Sequence, residues 1–227
     1  MVKSLQAQIA TIEAITIDPR YQTVKRVLDI TLILLILLPL CLIMAIVVIC
    51  IRLDSEGPVL FRQKRVGQNG LEFEMLKFRS MYVNSDDSLH RETIVHYLRG
   101  QKVNGDTTGF SYKRVDDPRI TKVGRFIRKT SLDEFPQFFN VLRGEMSLVG
   151  PRPSLPYEVE QYQAYHRLRL CGKPGITGIW QIYGRSRVTF QKMVEMDIAY
   201  LQQQTLWEDV KLIALTIPVI LQGRGGA

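Results

Sequence analysis

The sequence predicts a membrane-associated, monotopic α+β protein. One apolar helical segment with a break enters and leaves a bilayer by the same face, and amphipathic helices lie at the interface. Behind them sit a small β-hairpin and a compact, mainly helical domain. Three observations lead there. No charged residue occurs from Ile30 to Ile51. Two short alternating segments flank the glycine-rich turn Gly67-Gln-Asn-Gly70. Apolar residues recur with helical spacing between Val123 and Leu142.

The uncharged run rises about 33 Å as a straight helix at about 1.5 Å per residue, enough to cross a hydrocarbon core of about 30 Å. It is too long and too far from the start for an ordinary signal peptide. Pro39 removes a backbone donor near its middle, which predicts a sharp bend. Cations flank the run on both sides, Lys25 and Arg26 before it and Arg52, Arg62, Lys64 and Arg65 after it. Since basic flanks prefer the cytoplasm, a hairpin satisfies both clusters, whereas a straight span strands one; hydrophobic length by itself still argues for a span. The resulting division is residues 1–24 as an N-terminal cytoplasmic or interfacial segment, 25–53 as the re-entrant hairpin, and 54–227 as a domain on the cytosolic face.

After the turn Asp54-Ser-Glu-Gly-Pro58, the stretch Val59 to Val66 and the alternation of Leu71, Phe73 and Met75 with Glu72 and Glu74 read as two strands of a hairpin. Residues 84–117 are a polar excursion with one short helix around Glu92 to Leu98. Val123, Phe126 and Ile127 share a helical face opposite Arg125, Arg128 and Lys129, and Phe135, Phe138, Phe139 and Leu142 form a second stripe. Both stripes fit a core or a headgroup layer equally well. The apolar stretch Val210 to Leu221 is too short to span and holds Pro218.

The chain has 227 residues, 46% of them hydrophobic, with 30 Lys and Arg against 22 Asp and Glu, a net charge of +8. That excludes a disordered or collagen-like chain. The basic excess suits nucleic acid, anionic headgroups or a phosphorylated substrate, and membrane attachment favours the last two over nucleic acid. Cys41, Cys50 and Cys171 are an odd count, two of them inside the apolar run, so no disulfide framework is implied.

The densest chemistry lies in Gly124-Arg-Phe-Ile-Arg-Lys-Thr-Ser-Leu-Asp-Glu-Phe-Pro-Gln137. The adjacent carboxylates of Asp133 and Glu134 follow three cations, and such a group can hold Mg²⁺ and a diphosphate together. Carboxylates can also attack phosphorus or accept a proton. Alternatively, Ser131-Leu-Asp-Glu134 is a capping box that merely starts a helix, although Pro136 would then fall inside that helix. A helix beginning at Ser131 would also place its positive end beside Asp133. Arg152 is braced between Pro151 and Pro153, a rigid presentation that suits phosphate and equally a surface turn. Lys173-Pro-Gly-Ile-Thr-Gly178 and Gly184-Arg-Ser-Arg187, around Trp180 and Tyr183, make Gly178 and Arg185 candidates for holding a nucleotide. Walker, Rossmann and paired-histidine motifs do not occur.

The order of motifs resembles the bacterial sugar transferases, the monotopic phosphoglycosyl transferases that move a sugar 1-phosphate onto polyprenyl phosphate. It runs through Lys25-Arg-Val-Leu-Asp29, Gly57-Pro-Val-Leu-Phe-Arg-Gln63, Lys77-Phe-Arg-Ser-Met81, Asp117-Pro-Arg-Ile-Thr-Lys-Val-Gly-Arg125, Ser131-Leu-Asp-Glu-Phe-Pro-Gln137, Val149-Gly-Pro-Arg-Pro153 and Lys173-Pro-Gly-Ile-Thr-Gly178. The resemblance implies an active site at the cytoplasmic face of the bacterial inner membrane, with Mg²⁺ as cofactor. It implies Asp133 as nucleophile and metal ligand, and Glu134 as base or metal partner. Arg125, Arg128 and Arg152 become phosphate contacts, and Lys77 and Arg79 substrate contacts. The implied donor is a UDP-sugar, the acceptor undecaprenyl or another polyprenyl phosphate, the by-product UMP, and the pathway the start of exopolysaccharide, O-antigen or glycan assembly. The sugar and self-association as a homodimer are left open. This chain departs from many members at the bend, with Leu38-Pro39 in place of Ser-Pro. Some relatives carry further N-terminal membrane helices, so the short segment before Lys25 marks either a minimal form or a truncated one. The rival readings are a membrane-anchored lipid- or nucleotide-binding scaffold without catalysis, and a glycosyltransferase that releases UDP.

Overall fold

The structure is a computed structural model and describes residues 15, 17–83, 88–98, 117–184 and 188–221. Its first element, α1 (Pro19–Asp54), starts where Asp18 accepts the amide of Arg20 at 2.8 Å and proline takes the first helical position. The helix continues without interruption through Pro39 to Asp54. The expected pair of helices with a break between them is therefore one helix carrying a proline. A proline removes one backbone bond, and the turns on either side hold the rest.

Only one stripe of α1 is buried, Lys25, Asp29, Ile33, Leu40, Val47 and Ile51, at spacings of a single helix face. The other faces expose Leu34, Leu35, Ile36, Leu38, Leu42, Ile43, Ile46 and Ile49. A continuous apolar surface of this kind marks contact with lipid or another apolar phase. The stripe is polar at its beginning. Lys25 Nζ lies 2.7 Å from Asp209 Oδ2, and Asp29 accepts from the Ser147 hydroxyl at 2.7 Å. Tyr21 and Tyr200 donate to the same Asp209, at 2.7 and 2.5 Å. Burial and the Asp209 charge push the Tyr21 phenol upward. At the other end Val47 and Ile51 pack with Phe78 and Ile127, and Asp54 accepts the Val123 amide at 3.0 Å. Both ends of α1 thus dock on one domain.

The expected hairpin is present as β1 (Leu60–Val66) and β2 (Glu72–Phe78), antiparallel in the register Leu60 to Phe78 through Val66 to Glu72. Asn69 and Gly70 take positive φ in the turn, a conformation these two residue types tolerate best. The polar excursion contributes α2 (Ser88–Leu98), and residues 84–87 and 99–116 lie outside the described set. Then follow α3 (Lys122–Lys129) and α4 (Gln137–Arg143). The fully buried Asn140 of α4 ties β2 down, donating to the Glu74 carbonyl at 2.7 Å and accepting the Leu76 amide at 3.0 Å. Arg26 of α1 donates to the Val141 and Leu142 carbonyls at the end of α4, where free carbonyls favour a cation.

A second sheet, absent from the sequence expectation, pairs β3 (Ser147–Val149) with β4 (Gly175–Thr177) in parallel. Glycine permits this approach, since a Cβ on Gly175 would lie 2.1 Å from the Gly150 nitrogen. Around it stand α5 (Pro156–Glu160), α6 (Ala164–Arg167), α7 (Ile179–Tyr183), α8 (Phe190–Gln203) and α9 (Leu206–Leu221). The central core joins Ile33 of α1 to Met75, Val141, Met146, Val149, Leu201 and Leu212. Among the described residues α1 is the one helix long and apolar enough to cross a membrane.

Candidate active site

Asp133 and Glu134 lie on a 3-10 turn, Leu132–Glu134, between α3 and α4. The turn is pinned from both sides, because Leu132 and Phe135 join the cluster of Val47, Ile51, Phe78 and Ile127. Its two acids remain partly exposed. The alternation is a local consequence of sequence: apolar residues at 132 and 135 go inward and the carboxylates between them turn outward. Glu134 Oε1 meets Lys77 Nζ of β2 at 2.8 Å, and most of the Lys77 side chain is covered. A cation is thereby held against the acidic pair from a different element.

The capping-box alternative does not hold. Ser131 has left-handed backbone (φ 57°) and makes no capping hydrogen bond, and among the described residues its buried hydroxyl has no partner. Residues of this type adopt that conformation only when the surroundings enforce it. The helix that would have carried a positive end to Asp133 is also absent. The seven-residue α4 begins beyond Pro136, and α3 ends just before the turn. A helix end therefore does not balance the charge of the acidic pair, whereas Lys77 does so in part.

The predicted phosphate contacts distribute as follows. Arg128, in the last turn of α3, is half-buried, and Arg125 on the same helix is exposed. Arg128 is near enough to Asp117 to act with Arg119 on it. The Arg119 guanidinium, bonded at 2.7 to 3.1 Å, holds the Asp117 carboxyl below its usual range, and Arg128 adds to the effect. The stripe of α3 divides: Ile127 is core, whereas Phe126 is 60% exposed. Phe139 of α4 is also exposed, so the second stripe divides between core and surface.

Two other candidates have visible packing roles. Arg79 is buried and donates to the Ser55 and Glu56 carbonyls at 2.6 and 2.7 Å, which holds the turn leaving α1. Gly178 has extended backbone, and a Cβ there would lie 2.4 Å from the Gly150 carbonyl oxygen, so glycine is required for close packing. Arg185 lies outside the described residues. Arg152 follows β3 and borders a small cavity with Glu158, Arg169 and Trp180.

Sequence reasoning missed the buried ionic groups. Arg169 pairs with Asp197 at 2.6 Å, both 2% exposed or less, and burial pushes Asp197 up to about 6 against the pull of Arg169. No spacing links two charges 28 positions apart; an arginine inside the otherwise apolar Leu168-Arg-Leu-Cys171 is the only local hint. An apolar cavity of about 380 Å³ also opens between α1 and α3, with Ile43, Ile46 and Cys50 on one side, Val123 and Phe126 on the other, and Leu132 of the acidic turn in its wall.

Comparison with known proteins identifies a family. The profile of the family described as bacterial sugar transferase matches residues 20–223. Over 202 residues the chain is 48% identical to a galactosyl transferase, CpsE, of Streptococcus agalactiae, covering 88% of this chain and 43% of the relative. It is 37% identical to the UDP-glucose:undecaprenyl-phosphate glucose-1-phosphate transferase of Escherichia coli, covering 94% of this chain and 45% of that protein. With the exopolysaccharide production protein ExoY of Sinorhizobium fredii it shares 36% identity, over 88% of this chain and 87% of the relative. The chain spans less than half the length of the first two.

Proposed function

Because the chain belongs to the bacterial sugar transferase family, we propose that it transfers a sugar 1-phosphate from a UDP-sugar to undecaprenyl or another polyprenyl phosphate, releasing UMP. The observation that carries this reading is the acidic turn itself. Asp133 and Glu134 stand on a segment packed against the apolar helix α1 on one side and held by a lysine of the soluble hairpin on the other. A soluble donor and a membrane-bound acceptor have to meet at such a junction.

In the first half-reaction an Asp133 carboxylate oxygen attacks the phosphorus that bears the sugar. The bond from that phosphorus to the bridging oxygen breaks, UMP leaves with that oxygen, and an acyl phosphate joins Asp133 to the phosphosugar. In the second, an oxygen of polyprenyl phosphate attacks the same phosphorus and Asp133 departs as carboxylate, giving a polyprenyl diphosphate sugar. Glu134 takes the acceptor's proton when the acceptor arrives as a monoanion. Lys77, Arg128 and Arg152 offset charge on the phosphates.

Magnesium fits this donor set in one mode. Among the described residues no group of three or more His, Cys, Asp or Glu side chains could cage an ion. Magnesium is commonly held by one or two carboxylates together with substrate phosphates, which Asp133, with Glu134 beside it, can provide. Bound there it would supply further neutralisation of the diphosphate.

The docking of both ends of α1 on one domain supports re-entrance. Ends on opposite sides of a bilayer could not share a single water-soluble body. The cationic flanks support a cytoplasmic side, at the inner membrane, with the exposed faces of α1 toward the lipid. The cavity beside Leu132 is of a size and character to take a few isoprene units of the acceptor's chain. Product analysis tests the reading. Repeated turnover that forms UMP from a UDP-sugar and consumes polyprenyl phosphate in equal amount supports it. UDP as the product identifies a glycosyltransferase instead, and neither product leaves a binding scaffold.

A further inference from the structure

We infer that Arg169 and Arg65 are positioning residues for Arg152, acting through the backbone of the Pro151-Arg152-Pro153 loop. The proposal rests on the reading of Arg152 as a donor phosphate contact. Four successive carbonyls of this loop are engaged. The Pro151 carbonyl accepts from the Gly175 amide at 2.8 Å, and the Ser154 carbonyl accepts from the Val66 amide at 2.8 Å. Between them, the Arg152 carbonyl accepts from Arg169 Nη2 at 3.2 Å and the Pro153 carbonyl from Arg65 Nη1 at 2.9 Å. Two prolines limit φ within the loop, and two guanidiniums, 2% and 4% exposed, take the carbonyls that no strand reaches.

Each guanidinium is itself held. Arg169 Nη1 donates to the Tyr162 hydroxyl at 2.9 Å and approaches the Ser154 hydroxyl at 3.3 Å, while Nη2 faces Asp197 of α8 at 2.6 Å. Arg65 donates to Gln63 Oε1 through Nε and Nη2, at 3.2 and 2.6 Å. Burying two cations to hold two neutral carbonyls is costly unless the segment they hold must be fixed. A loop whose side chain meets a diphosphate has that requirement, because ordering before binding lowers the entropy lost on binding. Lysine cannot reproduce the arrangement, since one ammonium cannot satisfy Asp197, Tyr162 and the Arg152 carbonyl with the planar fork's geometry.

A double-mutant cycle on the full chain in detergent or nanodiscs tests this, with KM for UDP-sugar and for polyprenyl phosphate measured separately. Arg169→Lys is expected to raise KM for the donor about five- to tenfold, the loss of roughly one hydrogen bond to a charged donor, and to leave the acceptor KM within about twofold. In an Arg152→Ala background the same substitution should add nothing further. Effects on donor KM that multiply in the double variant, with Arg152→Ala itself effective, overturn the proposal alone. An Arg152→Ala enzyme with unchanged donor KM removes the phosphate contact and the proposal with it, while the Asp133 chemistry stands. Should Arg169→Lys not fold, Arg65→Lys and Tyr162→Phe enter the same cycle, with the same non-additivity expected and the same multiplication overturning it.

Discussion

Asp133 and Glu134 are adjacent in sequence, yet the turn assigns them different surroundings, and the lysine on Glu134 is the part of the site most exposed to experiment. Lys77→Met removes the 2.8 Å contact with Glu134 Oε1. Because that carboxylate is well exposed, the fold should lose no more than about 1 kcal/mol. Turnover should fall at least about tenfold, since loss of the Lys77 charge leaves more net negative charge beside the phosphates. Thermal unfolding and steady-state rates on one preparation check this, and a fall in melting temperature that tracks the lost activity would make Lys77 structural. The acids themselves were legible from their place behind three cations. Their backbone was not. A capping box and a left-handed serine read alike in sequence, and only the packing of Leu132 and Phe135 against α1 decides which forms. Arg152 was legible through its two prolines, whereas Arg65 and Arg169 were not, because buried charges are recognised by partners far away along the chain.

Among the elements, α1 governs how the molecule meets the membrane. Its apolar character was readable from the uncharged run, although the helix begins at Pro19, well ahead of Ile30 where that run starts, and the β1–β2 hairpin was readable from its glycine turn. The parallel β3–β4 pair was not readable, because strands of three residues with glycines show no alternation to detect. At Pro39, where a sharp bend is expected, the helix is not broken, since a proline weakens a helix without necessarily ending it. The position of the two ends follows from tertiary contacts: Lys25 and Asp29 at one end and Asp54 at the other are all bonded to the same domain. With Cys41, Cys50 and Cys171 replaced by serine, single cysteines at Arg20 and Glu56 should both resist a membrane-impermeant maleimide in intact cells and both react after the inner membrane is opened. Reaction of either one from outside would establish a span.

At the scale of the molecule, apolar and charged surfaces converge on one turn. The exposed apolar helix α1, the apolar cavity at Leu132, the lysine of the hairpin and the end of α3 all adjoin the segment from Ser131 to Phe135. On the proposed function, this geometry serves a reaction whose donor is soluble and whose acceptor is a lipid, with a carboxylate where the two would meet. A nucleophile that stores the phosphosugar separates the reaction into halves. The direct measurement is rapid-quench analysis of UMP after mixing enzyme with UDP-sugar in the absence of any polyprenyl phosphate, together with the intact mass of the protein. The account predicts about one UMP per active enzyme and a matching phosphosugar adduct that hydroxylamine removes, both lost in Asp133→Asn with the fold retained. An enzyme that turns over with acceptor present, yet gives neither burst nor adduct without it, would contradict the covalent step on Asp133 and require direct transfer between the two bound substrates.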